Sequence, residues 1–292
     1  MTLYSPQEFA TQTNALISLP TVYEHIRHAL EHPHTPLSEA SRALATDPSL
    51  AAQVLRAVNS PLYGYGGRVD CLDQAVNLLG LQRVHDLVLA MSLATVFDGI
   101  RPAQLDVTRF WRDSVLRGIA ARDIARRNDS RQLCERMLLI GMLADIGHLA
   151  LYQTVPELIQ EAWQCAQATG EAPHTAQRRV IGCDHAEIAA SLLTQWNLPP
   201  LFAAIIGAQT DPRQGGEFAY EAAIINVANH IVAFGQDGHG HAHTPIAATV
   251  LAQLELPWIE IEPLRRDAYA HVDDYLRHFF PTLAQAGKRS PN

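Results

Sequence analysis

The amino-acid sequence predicts an all-α protein from three observations. Ala, Leu, Gln, Arg and Glu recur at i, i+3, i+4 spacing from end to end, the period of one helical face. Period-2 alternation enriched in β-branched residues, the mark of a half-buried strand, is missing. Breaker segments such as Leu19-Pro20, Asn59-Ser60-Pro61 and Asn197-Leu198-Pro199-Pro200 separate the periodic stretches.

A first amphipathic helix starts near Ser5-Pro6 and ends by Ser18, and a second covers Thr21 to about His32. After a loop through His34 to Pro36, Ser38 to Ala45 forms a short helix. Pro48 sits in the first turn of the next helix, which reaches Val58, with Asp47 as its expected cap. Tyr63-Gly64-Tyr65-Gly66-Gly67 is a connector whose tyrosines either pack over apolar helices or touch a ligand or partner. Cys71 to Gly80 and Leu81 to Phe97 follow as helices broken at Gly80, and Asp98 to Pro102 is the candidate boundary between an N-terminal and a central part. Asp106 to Asn128 is the next helix. Later helices are expected over Val155 to Thr169, Ala172 to Ile181, Asp184 to Trp196, Leu201 to Gln209 and Phe218 to Phe234, with a loop at Asp211 to Gly216. A polar loop carrying His239, His241 and His243 leads to a C-terminal pair, Pro245 to Leu254 and Pro263 to Phe280, and then to a frayed end.

The stretch Arg136 to Tyr152 organises the rest. From Met137 to Leu151 it is apolar on every side, which predicts one central helix buried all round. Asp145 stands in its middle and His148 follows at i+3, on the same face one turn away. An ionised carboxylate buried without a partner costs roughly several kcal/mol. Asp145 is therefore protonated, hydrogen-bonded, paired with a cation or bound to a metal.

Composition narrows the function classes. At 292 residues and 48% hydrophobic the chain can bury the core of one or two domains. A net charge of -8 argues against general nucleic-acid binding, which leaves a basic footprint. Cys71, Cys134, Cys165 and Cys183 are far apart and read as free thiols of a reducing compartment. The N-terminus lacks a signal-peptide pattern and no segment reaches the roughly 18 apolar residues of a membrane span. A cytoplasmic protein without a membrane partner is the expectation.

Several segments together resemble the HDOD family, relatives of the HD phosphohydrolases and of the HD-GYP cyclic di-GMP phosphodiesterases. They are Leu19-Pro20, Thr46-Asp47-Pro48-Ser49-Leu50, Val54 to Ser60, Ala75 to Gly80, Phe110-Trp111-Arg112-Asp113-Ser114, Gly141 to Gly147, Gly182 to Glu187, Trp196 to Pro199 and Asn226 to Asn229. The resemblance implies an N-terminal helical bundle over residues 1–100, a degenerate HD-type bundle over 101–243, and a C-terminal helical cap and tail over 244–292. In catalytic HD proteins, the resemblance further implies a metal held by a His near the Phe-Trp element, by an adjacent His-Asp, and by an Asp on a later helix. Laid on this chain, that pattern puts Asp113 at or near the first position, Ala144 at the second, Asp145 at the retained Asp and Asn229 at the last. Ala144 has no donor atom and Asn229 offers only a neutral carbonyl oxygen, so the ligand set is degenerate.

Two functions follow from the resemblance. The first is a non-catalytic signalling or regulatory protein that needs no cofactor and acts on a signalling protein or small ligand, with Asp145 accepting hydrogen bonds from neighbours such as His148, His185 or Asn229. The second is a metal-dependent phosphohydrolase or cyclic-nucleotide phosphodiesterase with a set rebuilt from Asp113, Asp145, His185 and His230. The missing His before Asp145 favours the first. Arg122, Arg126, Arg127, Arg131 and Arg136 read as a solvated basic face at a helix end, or as a patch for an anion or an acidic partner. The sequence contains no Gly-x-x-x-x-Gly-Lys phosphate loop, and it names neither the partner nor the oligomeric state.

Overall fold

The computed structural model describes residues 4–16, 21–31, 36–59, 69–98, 105–128, 131–233 and 246–279. Among them every regular element is a helix: α1 (Pro6–Leu16), α2 (Thr21–Glu31), α3 (Leu37–Ala45), α4 (Pro48–Val58), α5 (Leu72–Leu79), α6 (Leu81–Asp98), α7 (Val107–Ala125), α8 (Arg131–Leu143), α9 (Ile146–Thr154), α10 (Pro156–Thr169), α11 (Pro173–Val180), α12 (His185–Gln195), α13 (Pro200–Gly207), α14 (Ala219–Ala233), α15 (Ala248–Gln253) and α16 (Ile261–Phe279). Short 3-10 turns cover Arg126–Asn128, Pro212–Phe218 and Trp258–Glu260. Local chemistry starts several of these helices. The Asp47 carboxylate accepts from the backbone N–H groups of Ser49 and Leu50, each at 3.0 Å, and Pro48 fills the first turn, where its missing N–H leaves no gap. Asp184 and Glu187 form a reciprocal capping box at the head of α12.

The chain divides into two units, one comprising Met1–Ile17 and Ile100–Val272, the other Ser18–Gly99 and Asp273–Asn292. One division falls between Gly99 and Ile100. The units are not sequential blocks, however, because α1 groups with the helices after residue 100, and the division falls again within α16. In the second unit, Ile26, Leu44, Val54, Val58, Val84 and Leu89 are fully buried, and the Tyr23 hydroxyl meets His85 Nε2 at 3.0 Å in that core.

In the first unit, α1 packs on α12 and α9, α7 on α8 and α14, and α12 on α9 and α13. The α7–α8 crossing is a backbone contact at paired glycines. A Cβ on Gly141 would lie 2.8 Å from Gly118 Cα, and one on Gly118 would lie 2.6 Å from the Leu138 carbonyl. This close approach fixes how α7 presents its inner face to the start of α9.

The expected single central helix is corrected. It is two helices, α8 and α9, broken at Ala144-Asp145, with Asp145 at φ -99°, ψ 5°. The Ala144 carbonyl accepts from Gln209 Nε2 at 2.7 Å instead of from the helix ladder, and His148 N–H turns to the Asp145 carbonyl at 2.9 Å. One side-chain bond and one tight backbone turn thus replace ladder bonds where hydrophobic patterning alone continues the helix. Burial all round does hold, since Met137, Leu139, Ile140, Leu143, Leu149 and Leu151 are at most 3% exposed.

Two smaller differences follow the same rule. Asp211 to Gly216, expected as a loop, lies mostly within the 3-10 turn Pro212–Phe218, and α16 starts two residues before Pro263, which its first turn tolerates. Cys71 and Cys183 stand just outside helices. Tyr63, Tyr65, His239, His241 and His243 lie outside the described residues. No single helix among the described residues is long and apolar enough to cross a membrane.

Candidate functional site

The break between α8 and α9 places Asp145 at the start of α9, facing α7 and α12. Its Oδ2 receives a hydrogen bond from Arg117 Nη2 at 2.5 Å, and its Oδ1 lies 3.1 Å from His148 Nδ1 and 3.9 Å from His185 Nε2. The His148 and His185 rings stack with centroids 4.1 Å apart and planes 13° from parallel. Gln177 on α11 binds both: its Oε1 accepts from the His185 backbone N–H at 3.0 Å and lies 3.0 Å from His185 Nδ1, while its Nε2 lies 3.0 Å from His148 Nε2. Gly147 makes this approach of α9 to α12 feasible, because a Cβ there would stand 1.9 Å from the His185 carbonyl oxygen.

The electrostatics follow from these distances. Burial pushes the Asp145 carboxyl up, but the Arg117 guanidinium first, and then His148 and His185, hold it well below the usual carboxylate range. Asp145 is an anion with an internal cation. Burial, reinforced by His148, lowers His185 well below the usual histidine range despite the opposing pull of Asp145. His185 is neutral near pH 7.

Of the seven positions singled out from the sequence, the structure gathers three: Asp145, His148 and His185 place one ligand-type atom each within 4.8 Å of one another. Asp113 points elsewhere. Its carboxylate is 3.7 Å from Arg109 Nε, and its charge acts on Tyr269 of α16. Ala144 contributes only its carbonyl, to Gln209. Asn229 donates from Nδ2 to Gln209 Oε1 at 2.9 Å, and Gln209 is fully buried, so one glutamine bridges the α8–α9 turn to α14. His230 lies 2.7 Å from the Asn226 carbonyl through Nδ1.

Hydrogen bonding of Asp145 to His148 is present, but the expected bonds to His185 and Asn229 are not among those it makes. Arg117, the cation on Asp145, escapes a sequence reading that sorts arginines by exposed runs. It stands alone in the apolar face of α7, and its four-residue offset from Asp113 is the one signal that aims it where the first ligand was sought.

A divalent cation does not fit this donor set. Arg117 already places a full positive charge on Asp145, and Ala144 supplies no side-chain donor. The His148 nitrogen nearest Asp145 is a hydrogen-bond donor rather than a free lone pair, because Gln177 faces its other nitrogen with an N–H group. Four buried polar atoms near these residues in sequence or contact have no hydrogen-bond partner: Ser114 Oγ, Arg117 Nε and Nη1, and Asn229 Oδ1.

Comparisons with known proteins agree with this architecture. A curated relative from Treponema pallidum, an uncharacterized protein, is 23% identical over 226 residues, covering 77% of this chain but 44% of its own length. The chain thus spans less than half of that relative. A solved HDOD domain protein of unknown function from Geobacter sulfurreducens superposes with a TM-score of 0.66 at 19% identity, covering 95% of this chain and 97% of that one. A "Putative phosphohydrolase" from Shewanella amazonensis gives 0.67 at 22% identity with 95% and 97% coverage. A "Putative signal transduction protein" from Marinobacter aquaeolei gives 0.70 at 20% identity, covering 98% of this chain and 62% of that one. At these identities the solved structures establish the shared fold. The HDOD domain family model matches residues 16–212, most of the chain, and the protein belongs to the HDOD family.

Proposed function

We propose that this HDOD protein is a non-catalytic regulatory module that acts by binding a protein or a small ligand. The observation that carries the reading is the Arg117–Asp145 ion pair. The acid that survives from the HD pattern is neutralised by a guanidinium only 5% exposed, at 2.5 Å, and so has no need of a metal. The same pair ties α7 to the start of α9, so the former catalytic acid holds helices together. Unpartnered donors and acceptors at Arg117, Ser114 and Asn229 leave hydrogen-bonding capacity that a ligand could use.

A second reading, a metal-dependent phosphohydrolase, is favoured by the convergence of Asp145, His148 and His185. Metal analysis of purified protein, with assays on a generic phosphoester and on cyclic di-GMP, separates the two. The regulatory reading expects substoichiometric metal and no turnover. Stoichiometric divalent metal together with turnover abolished by Asp145→Ala would overturn it.

A further inference from the structure

Gln177 decides which ring nitrogens in the cluster carry hydrogen. It is 2% exposed, and its amide has one orientation open to it. The His185 backbone N–H can only donate, so the amide atom 3.0 Å away is Oε1. That same oxygen lies 3.0 Å from His185 Nδ1, which therefore carries the hydrogen and leaves Nε2 as the lone-pair nitrogen. The amide N–H then faces His148 Nε2 at 3.0 Å, so that nitrogen accepts, and the His148 hydrogen sits on Nδ1, where it donates to Asp145.

We propose that Gln177 is a tautomer lock that keeps transition-metal cations out of the Asp145, His148 and His185 cluster. The proposal deepens the non-catalytic reading above and rests on it. Without the lock the ligand-atom spacing approaches that of a metal centre, and the two stacked rings need only tilt out of parallel to aim at one ion. Tetrahedral ligands about 2.0–2.1 Å from zinc are about 3.3 Å apart, and the separations from Asp145 Oδ1 are 3.1 Å to His148 Nδ1 and 3.9 Å to His185 Nε2. Coordination through His148 Nδ1 requires the ring hydrogen to move to Nε2, directly against the Gln177 N–H group. Turning the amide over instead sets that N–H group against the His185 backbone N–H and strips a buried donor of its partner.

A carboxylate at this position has no hydrogens to oppose either ring. Gln177→Glu would accept from the His185 backbone and Nδ1 while also accepting from His148 Nε2–H, the outer arrangement that holds imidazole ligands on a metal.

The experiment has two arms. In the wild-type protein, long-range 1H–15N spectra of the histidine rings are expected to show hydrogen on Nδ1 and a bare Nε2 for both His148 and His185. A His148 ring with its hydrogen on Nε2 overturns the proposal while leaving the non-catalytic reading intact. In the second arm, Co2+ titration followed by visible absorption is expected to give binding in Gln177→Glu that is about 10- to 100-fold tighter than in the wild type and is lost in Gln177→Glu/His148→Ala. Equal affinity in wild type and Gln177→Glu overturns the lock. Turnover by the wild-type protein would instead refute the reading on which it rests. Should Gln177→Glu fail to fold, the wild-type ring spectrum decides the matter alone.

Discussion

Replacing Asp145 by Ala is expected to destabilise the first unit severely. Arg117 is 5% exposed, and its Nε and Nη1 lack hydrogen-bond partners, so among the described residues Nη2 to Asp145 is the only pairing its charge has. Removing one member of such a pair costs about 3–5 kcal/mol, because the other charge stays buried without compensation. Against a total stability of about 5–15 kcal/mol, that loss is large. With a urea dependence of about 2 kcal/mol per M, a loss of about 4 kcal/mol lowers the unfolding midpoint by about 2 M. Tryptophan fluorescence is the suitable probe, since Trp111, Trp163, Trp196 and Trp258 all lie within Ile100–Val272. Arg117→Met should be milder, because Asp145 is 23% exposed and water can take up its Oδ2. The double variant Arg117→Met/Asp145→Ala should be more stable than Asp145→Ala alone, since the orphaned charge is gone. Strict additivity of the two single effects, or a cost below about 1 kcal/mol for Asp145→Ala, would refute the ion-pair account.

Three further outcomes are expected. The depressed folded value of His185 means that the unfolded chain binds a proton the folded one refuses. Stability should therefore fall as pH drops below the unfolded value of about 6.5, by up to about 1.4 kcal/mol per pH unit. His185→Gln should flatten that slope in urea titrations between pH 7.5 and 5, and an unchanged slope would count against the assignment. Asp145 is also depressed, so its contribution, present above the unfolded value of about 3.8, is lost in a separate and lower window as pH falls toward its folded value. Gly147→Ala puts a Cβ 1.9 Å from the His185 carbonyl oxygen and should cost at least about 3 kcal/mol, read as a lowered urea midpoint. Among the thiols, exposed Cys71 should react readily with a disulfide reagent. Cys183, buried and with its thiol pushed up to about 12, should react only on unfolding, and matched native rates would contradict its placement.

Much of the fold was legible because helical periodicity and breaker residues are local signals. The Asp47 cap with Pro48 behind it and the Gly80 break are both decided within four residues of chain, and each stands where the sequence places it. The break at Ala144-Asp145 is different. Its cause is a hydrogen bond from Gln209, 65 residues away, and an ion pair from Arg117, 28 residues away. Nothing in the apolar run Met137 to Leu151 announces either partner. Asp113 shows the same limit in reverse, since a family pattern gives the helix that faces the acid but not which turn of it. One turn further along α7, Arg117 is the residue that reaches the acid.

The requirement on a buried acid that stays ionised is the same in an enzyme and in a scaffold: hydrogen-bond donors or a positive charge must sit beside it. A metal ion meets it reversibly and leaves open coordination positions for chemistry. A guanidinium meets it permanently, with fixed planar geometry and no exchangeable site. In this chain the guanidinium comes from α7, the imidazole of His148 donates from the same helix as the acid, and Gln177 on α11 fixes that donation. Each of these three bonds uses an atom that a metal centre would need free or absent. The surviving acid therefore joins α7, α9 and α11–α12 through a hydrogen-bonded network whose value lies in positioning helices. On the regulatory reading proposed above, the ion pair to Arg117 stands where a catalytic site would hold its metal.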